Sequence, residues 1–139
     1  MSYILAYLET VPNPPLRKEG GLGHYHIFAT TDFCDQPEAD MEDLLGNQLY
    51  VELVNKGYGF AGNDLLTATT IQSAQESSPR VVKKMESILR LRPSGPEFDH
   101  YVPALWLAQN PSWYSQTDTE RAAALDRFEA LFKKINALL

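Results

Sequence analysis

Three histidines, one cysteine and a short run of carboxylates are the side chains of this sequence with the most chemistry to offer. His24 and His26 fall two apart in the stretch His24 to Thr30, HYHIFAT, which reads as a β-strand. Alternation along a strand turns both imidazoles to one face, about 6–7 Å apart, close enough to share a metal ion. His100, Asp99 or Asp32 could complete the ligand set, although sequence spacing does not join them to the pair. One expectation is therefore a small metal-dependent enzyme or metal-binding protein using His24, His26 and His100. The competing reading of the same residues is surface or hydrogen-bonded core histidines.

Cys34 precedes a helix start, where a thiolate is favoured, but Asp32 and Asp35 flank it and negative charge disfavours the thiolate. A lone cysteine is more often a small buried hydrophobe than a nucleophile. Gly57-Tyr58-Gly59-Phe60-Ala61-Gly62 matches the GxGxxG string of dinucleotide sites. That string works between a strand and a helix, whereas here a helix is expected before it and a strand after it, so it reads as a helix end running into a turn. Gly20-Gly21-Leu22-Gly23 lacks the Lys-Ser/Thr of a phosphate loop. No His-Glu-x-x-His, paired His-x-Thr/Ser or Gly-x-Ser-x-Gly pattern occurs, and no known family is recognised.

The remaining features suit binding better than catalysis. Asp32, Asp35, Glu38, Asp40, Glu42 and Asp43 put six acids into 12 residues with no base among them, more than capping alone requires. Phe98, Tyr101, Trp106, Trp113 and Tyr114 put five aromatic rings into a 17-residue, proline-punctuated stretch, and Trp and Tyr are common interface anchors. The bland alternatives are a solvated helix face and rings laid over the core. Residues 1–76 hold 11 acids and 3 bases, residues 77–139 hold 7 and 9, and the net charge is −6. An acidic first half does not grip a phosphate backbone, so no nucleic acid is expected as partner, and the chain suits a basic protein surface better. Arg80, Lys83, Lys84, Arg90 and Arg92 form a basic face that could meet the acidic run of the same or another chain.

The leading expectation is a small acidic protein-binding module that inhibits or neutralises another protein, in the manner of an immunity protein, antitoxin or phage inhibitor. Asp35, Glu38, Asp40, Glu42 and Asp43 would steer, and Trp106, Trp113 and Tyr114 would anchor. No cofactor is called for. A ligand-sensing or oligomeric module whose sheet pairs two copies is a third, weaker idea. No run approaches the roughly 20 apolar residues of a membrane span, and residues 1–11 lack the marks of a signal peptide, so no membrane and a cytoplasmic setting are expected.

The elements that must position these residues follow from periodicity and punctuation. At 139 residues and 44% hydrophobic content one domain over 1–139 with its own core is expected, without disulfides. Ser2 to Thr10 and His24 to Thr30 read as strands around a loop at 12–23 that could act as a lid. Asp35 as cap, Pro37 and Glu38 open a helix over about 36–56, closed by Gly57, with a helix to 45 and a strand at 48–54 as the alternative. Leu65 to Ser73 reads as a third strand. Ser78-Pro79 opens a helix to residue 92, residues 93–116 are irregular with one short strand near 98–102 and one or two helical turns after Pro103, and the Thr117 to Glu120 capping box opens a last amphipathic helix. The order predicts an α+β fold, a small largely antiparallel sheet of three to four strands covered on one face by about three helices.

Overall fold

The computed structural model describes residues 3–5, 27–115 and 118–137. Among them the elements are β1 (Tyr3–Leu5), β2 (Ile27–Ala29), α1 (Asn47–Tyr58), α2 (Ala68–Gln72), α3 (Val81–Arg90), α4 (Tyr101–Gln109) and α5 (Thr119–Asn136). Short 3-10 turns lie at Thr30–Asp32, Met41–Leu45, Gly62–Asp64 and Pro111–Ser115.

The expected α+β architecture is corrected: the fold is helical, and no three- or four-stranded sheet exists among the described residues. Among the described residues β1 and β2 pair with each other alone, antiparallel, through Tyr3 with Ala29, Ile4 with Phe28 and Leu5 with Ile27. The loop at 12–23 lies outside the described residues. The core is built by helices around α1, whose Leu49, Tyr50, Val51, Leu53, Val54 and Asn55 are all buried. A helix apolar over most of its circumference must be covered from several sides, and α2, α4, α5 and the Met41–Leu45 turn cover this one. Leu45, Leu66, Ile71, Val81, Val82, Met85, Leu89, Trp113 and Ala124 complete the cluster.

Each misread segment has a local cause. The single helix over 36–56 is two elements, because Gly46 takes φ +81° and ends the Met41–Leu45 turn before α1 begins. Gly46 also leaves room for the Arg127 guanidinium, whose Nη2 would sit 3.1 Å from a Cβ there. Asp35 caps nothing; residues 33–38 are a series of bends. Gly57 is not the helix end either, since α1 runs to Tyr58 and Gly59 takes the left-handed conformation at φ +68°. Gly57 instead lets α4 approach, for a Cβ there would lie 3.1 Å from the Pro103 backbone.

Leu65 to Ser73 is not a strand. Asn55 reaches from α1 to accept the Leu66 N–H at 3.0 Å and donate to its carbonyl at 2.9 Å, removing the need for a ladder partner. Thr67 and Thr70 then exchange backbone-to-hydroxyl bonds and start α2. Residues 98–102 hold no strand, and α4 starts at Tyr101 with Pro103 in its first turn, where a missing N–H costs nothing. α5 is capped by Asp118, which accepts the Arg121 N–H at 2.8 Å, one residue later than the expected box.

Breaking the chain into short helices multiplies unpaired helix ends, and buried polar side chains meet them from a distance. Asp43 is 8% exposed. Its Oδ1 accepts the Val81 N–H at the start of α3 at 2.9 Å, and its Oδ2 accepts the Asp40 N–H at 2.7 Å. Arg127 donates to the carbonyls of Leu44 and Leu45 at 2.7 and 3.2 Å. Arg121, 5% exposed, donates to the Trp113 carbonyl, pairs with Asp118 and Glu52, and lies 4.2 Å above the Trp113 ring. Among the described residues the hydroxyls of Tyr50 and Tyr114 are the exceptions, buried without a hydrogen-bond partner, and Tyr50 is the more deeply buried of the two. For Tyr50 the consequence is electrostatic. Burial first, then the charges of Glu42, Tyr58, Asp43 and Asp40, push its pKa far above the ordinary tyrosine value.

Two outcomes follow from this polar framework. Asp43→Ala strips acceptors from two backbone N–H groups and lowers the unfolding free energy by about 2–3 kcal/mol, read from urea denaturation; a loss under about 0.5 kcal/mol would show that those groups find other partners. Tyr50→Phe removes a buried unpaired hydroxyl, so stability at neutral pH holds or rises, by up to about 1 kcal/mol. Because the folded state keeps the Tyr50 proton that the unfolded state releases above roughly pH 10, wild-type stability falls as pH rises through that window. Thermal melts should show a shallower alkaline decline in the variant, and superimposable declines would refute the assignment.

Candidate functional site

The N-terminus of α4 is held by α1. Tyr58, the last residue of α1, accepts the Asp99 N–H on its phenol oxygen at 2.6 Å and donates to the Asp99 carbonyl at 3.2 Å. The Asp99 carboxylate accepts the Tyr101 N–H at 2.9 Å, serving one of the donors that a helix start leaves unpaired. His100 places Nδ1 3.4 Å from Oε1 of Glu42, and its ring meets the Tyr101 ring edge-on at 4.4 Å. Glu42, far back in sequence, thereby joins the same corner.

The sequence YVPALWLAQ of α4 carries no charge. Pro103 is buried and Val102, Trp106 and Leu107 are half-buried toward the body. Helical spacing puts Tyr101, Ala104, Leu105 and Ala108 on the opposite face, and all four are exposed. Tyr101 is 72% and Leu105 59% accessible. A helix apolar all round is normally buried all round; here one face is not. Beside the helix start runs a groove of about 400 Å³ lined by Glu86, Glu97, Phe98, Asp99 and His100. Three of these five side chains, Glu86, Glu97 and Asp99, carry carboxylates, so the start of the apolar helix has an acidic border.

The expected anchors lie elsewhere. Trp113 is 8% exposed and belongs to the core. Trp106 meets it edge-on at 6.1 Å and Tyr114 at 5.5 Å, and both are half-buried against the same cluster. These three rings brace the structure. The acidic residues are divided too. Asp43 is internal, as described, while Glu38 accepts the Ser78 hydroxyl at 2.9 Å and, with Asp40, lies about one salt-bridge length from Arg80, at 3.6 and 3.5 Å. Of the basic face expected in the second half, Arg80 meets the acidic run of the same chain at the start of α3, whereas Lys83 pairs with Glu86 and Arg92 donates to the Asp64 carbonyl. Asp35 is exposed on the bends, and Glu42 stands at the edge of the α4 face.

The metal reading gains no support from geometry. His24 and His26 lie outside the described residues, His100 faces Glu42, and among the described residues no group of three or more His, Cys, Asp or Glu side chains could hold a metal ion. Cys34 is half-buried, and its thiol is pushed up by burial first and Asp43 second, against a lowering by Arg127. The neighbours anticipated from sequence, Asp32 and Asp35, are not the ones that act on it.

The sequence reading does not single out Ala104, Leu105 or Ala108, and sets Tyr101 among rings now divided between core and surface. The available signal was the run of nine uncharged residues from 101 to 109, too apolar for a helix with one wet face. No helix among the described residues is long and apolar enough to cross a membrane. No protein-family model, curated protein or solved structure matches the chain.

Proposed function

We propose that this chain is a protein-binding module of the inhibitor or neutraliser kind, acting in the cytoplasm, and that it docks through the outward face of α4. One observation carries the reading: Tyr101 and Leu105, one helical turn apart, are 72% and 59% exposed on a helix with no charged residue. Uncharged faces bearing a tyrosine and a leucine, with alanines beside them that let a second backbone come close, have the composition of an interface centre. The border formed by Glu42, Glu97 and Asp99 selects the occupant. A helix with an apolar stripe and flanking Lys or Arg fits, its cationic side chains meeting the carboxylates of the groove at the start of α4.

The anchoring role passes from Trp106, Trp113 and Tyr114 to Tyr101 and Leu105, and the steering role from the whole acidic run to Glu42 and the 97–99 carboxylates.

A synthetic basic helix of leucine and lysine tests this directly, with its leucine and glutamate counterpart as control and Trp fluorescence as the readout. The basic peptide should bind wild type and bind Leu105→Asp at least tenfold more weakly, the order expected for losing one buried leucine side chain. Glu42→Lys should weaken the same peptide mainly at low salt, where an exposed charge is least screened. Circular dichroism should report intact folds, Leu105 being exposed and Glu42 partly so. Equal affinity for the two peptides, or binding indifferent to Leu105→Asp, would overturn the proposal.

A further inference from the structure

The groove at the start of α4 continues along the end of α3. This second hollow has a volume of about 550 Å³, within the range of small-molecule sites, and Glu86, Leu89, Arg90, Arg92, Glu97 and Phe98 line it. Glu86, Glu97 and Phe98 line both hollows, so the two form one channel with Arg90 toward one end and Asp99 toward the other. The wall at residues 95–99 holds no helix or strand and is fixed at its two ends. Tyr58 grips the Asp99 backbone. At the other end Gly95 packs so closely on Arg92 that a Cβ there would lie 2.8 Å from the Arg92 Cβ, while the Arg92 guanidinium lies 4.9 Å over the Phe60 ring and donates to the Asp64 carbonyl at 2.9 Å.

The charges on this channel are unequally engaged. Glu86, one turn before Arg90, pairs instead with Lys83 at 2.8 Å. Arg92 is committed to Phe60 and Asp64, and Asp99 spends one carboxylate oxygen on the Tyr101 N–H. Arg90 and Glu97 are exposed, and among the described residues neither side chain has a hydrogen bond or an ion pair, even with the other. Opposite charges that line one groove without meeting leave space for a molecule that bridges them. The free groups are one guanidinium, on Arg90, and two acceptors, the Glu97 carboxylate midway and the remaining Asp99 oxygen at the far end.

A basic α-amino acid carries the complement of these charges. Its carboxylate takes the Arg90 fork in a two-point contact, and its side-chain cation reaches the carboxylates. Phe98, present along both hollows, favours a planar guanidinium, which stacks on a ring and still donates in its own plane. Each helix end bordering the channel carries only about half a charge and has its own partner, the Arg92 N–H on the Leu89 carbonyl and Asp99 on the Tyr101 N–H, so the full charges set the orientation.

We propose that this channel binds arginine, free or as the C-terminal residue of a peptide, with the carboxylate at Arg90 and the guanidinium against Phe98 between Glu97 and Asp99. The proposal does not rest on the outward face of α4: the two sites share carboxylates, but Arg90 decides one and Leu105 the other.

An NMR titration at low salt, following the backbone amides of residues 86–99, provides the test. L-Arginine should move them saturably. Agmatine, which lacks the carboxylate, and L-norvaline, which lacks the guanidinium, should each bind at least about threefold more weakly, the scale of one exposed ion pair. Arg90→Ala should weaken arginine by about that factor and leave agmatine unchanged, whereas Glu97→Gln should weaken arginine and agmatine alike. Both positions are exposed, so circular dichroism should match wild type. Leu105→Asp should leave arginine binding unchanged. Nα-Acetyl-L-arginine separates the two sources: binding weaker than that of arginine assigns the channel to the free amino acid, and equal or tighter binding to a peptide C-terminus. Shifts that do not saturate overturn the proposal. So does agmatine binding as tightly as arginine, or an Arg90→Ala loss that agmatine shares equally.

Discussion

Unpaired backbone groups at helix ends are the constraint on which this structure depends. Each helix leaves four N–H and four C=O groups without intrahelical partners, and the described residues, cut into five helices and four 3-10 turns, create such ends throughout the interior. Asp43, Asn55, Arg121 and Arg127 each resolve one junction by reaching to backbone distant in sequence. The apolar cluster supplies the drive to collapse. These four side chains determine which helix end meets which, because an apolar contact tolerates a shift of register that a two-point hydrogen bond does not.

Their action also explains how far the sequence could be read. The helices at 81–90 and 119–136 stand where amphipathic spacing puts them, within two residues at their starts. Where the sequence misleads, the deciding group is far away. Leu65 to Ser73 has the β-branched content of a strand, and what makes it a helix is Asn55, eleven residues back, taking both polar groups of Leu66. The start of α3 shows Ser78 and Pro79 as its signals, yet the acceptor at its first N–H is Asp43. Gly46 looks like a tolerated flaw inside a helix, and the Arg127 side chain that occupies the space beside it cannot be foreseen from local pattern.

The site was legible only in part, for the same reason. Carboxylate density at 32–43 is real, but half of it, Glu38, Asp40 and Asp43, is spent on the N-terminus of α3, a use that depends on which helix end lies nearby. Aromatic density at 98–114 divides between a buried group around Trp113 and the exposed Tyr101, and composition does not make that division; helical phase does. Helical turns are expected after Pro103 and are found there, but α4 starts two residues before it, at Tyr101, and a proline in a first turn does not mark in sequence where the helix begins.

The two-ended attachment of α4 has a consequence for anything that meets it. Tyr58 pins the start through the Asp99 backbone, and at the other end Asn110 donates to the Trp106 carbonyl while Trp106 leans on the buried Trp113. The exposed face is therefore preorganised: its backbone has already lost the freedom that a disordered recognition segment surrenders on contact. Association with such a face proceeds as a rigid-body encounter, and differences among its ligands appear in how long they stay rather than in how often they arrive.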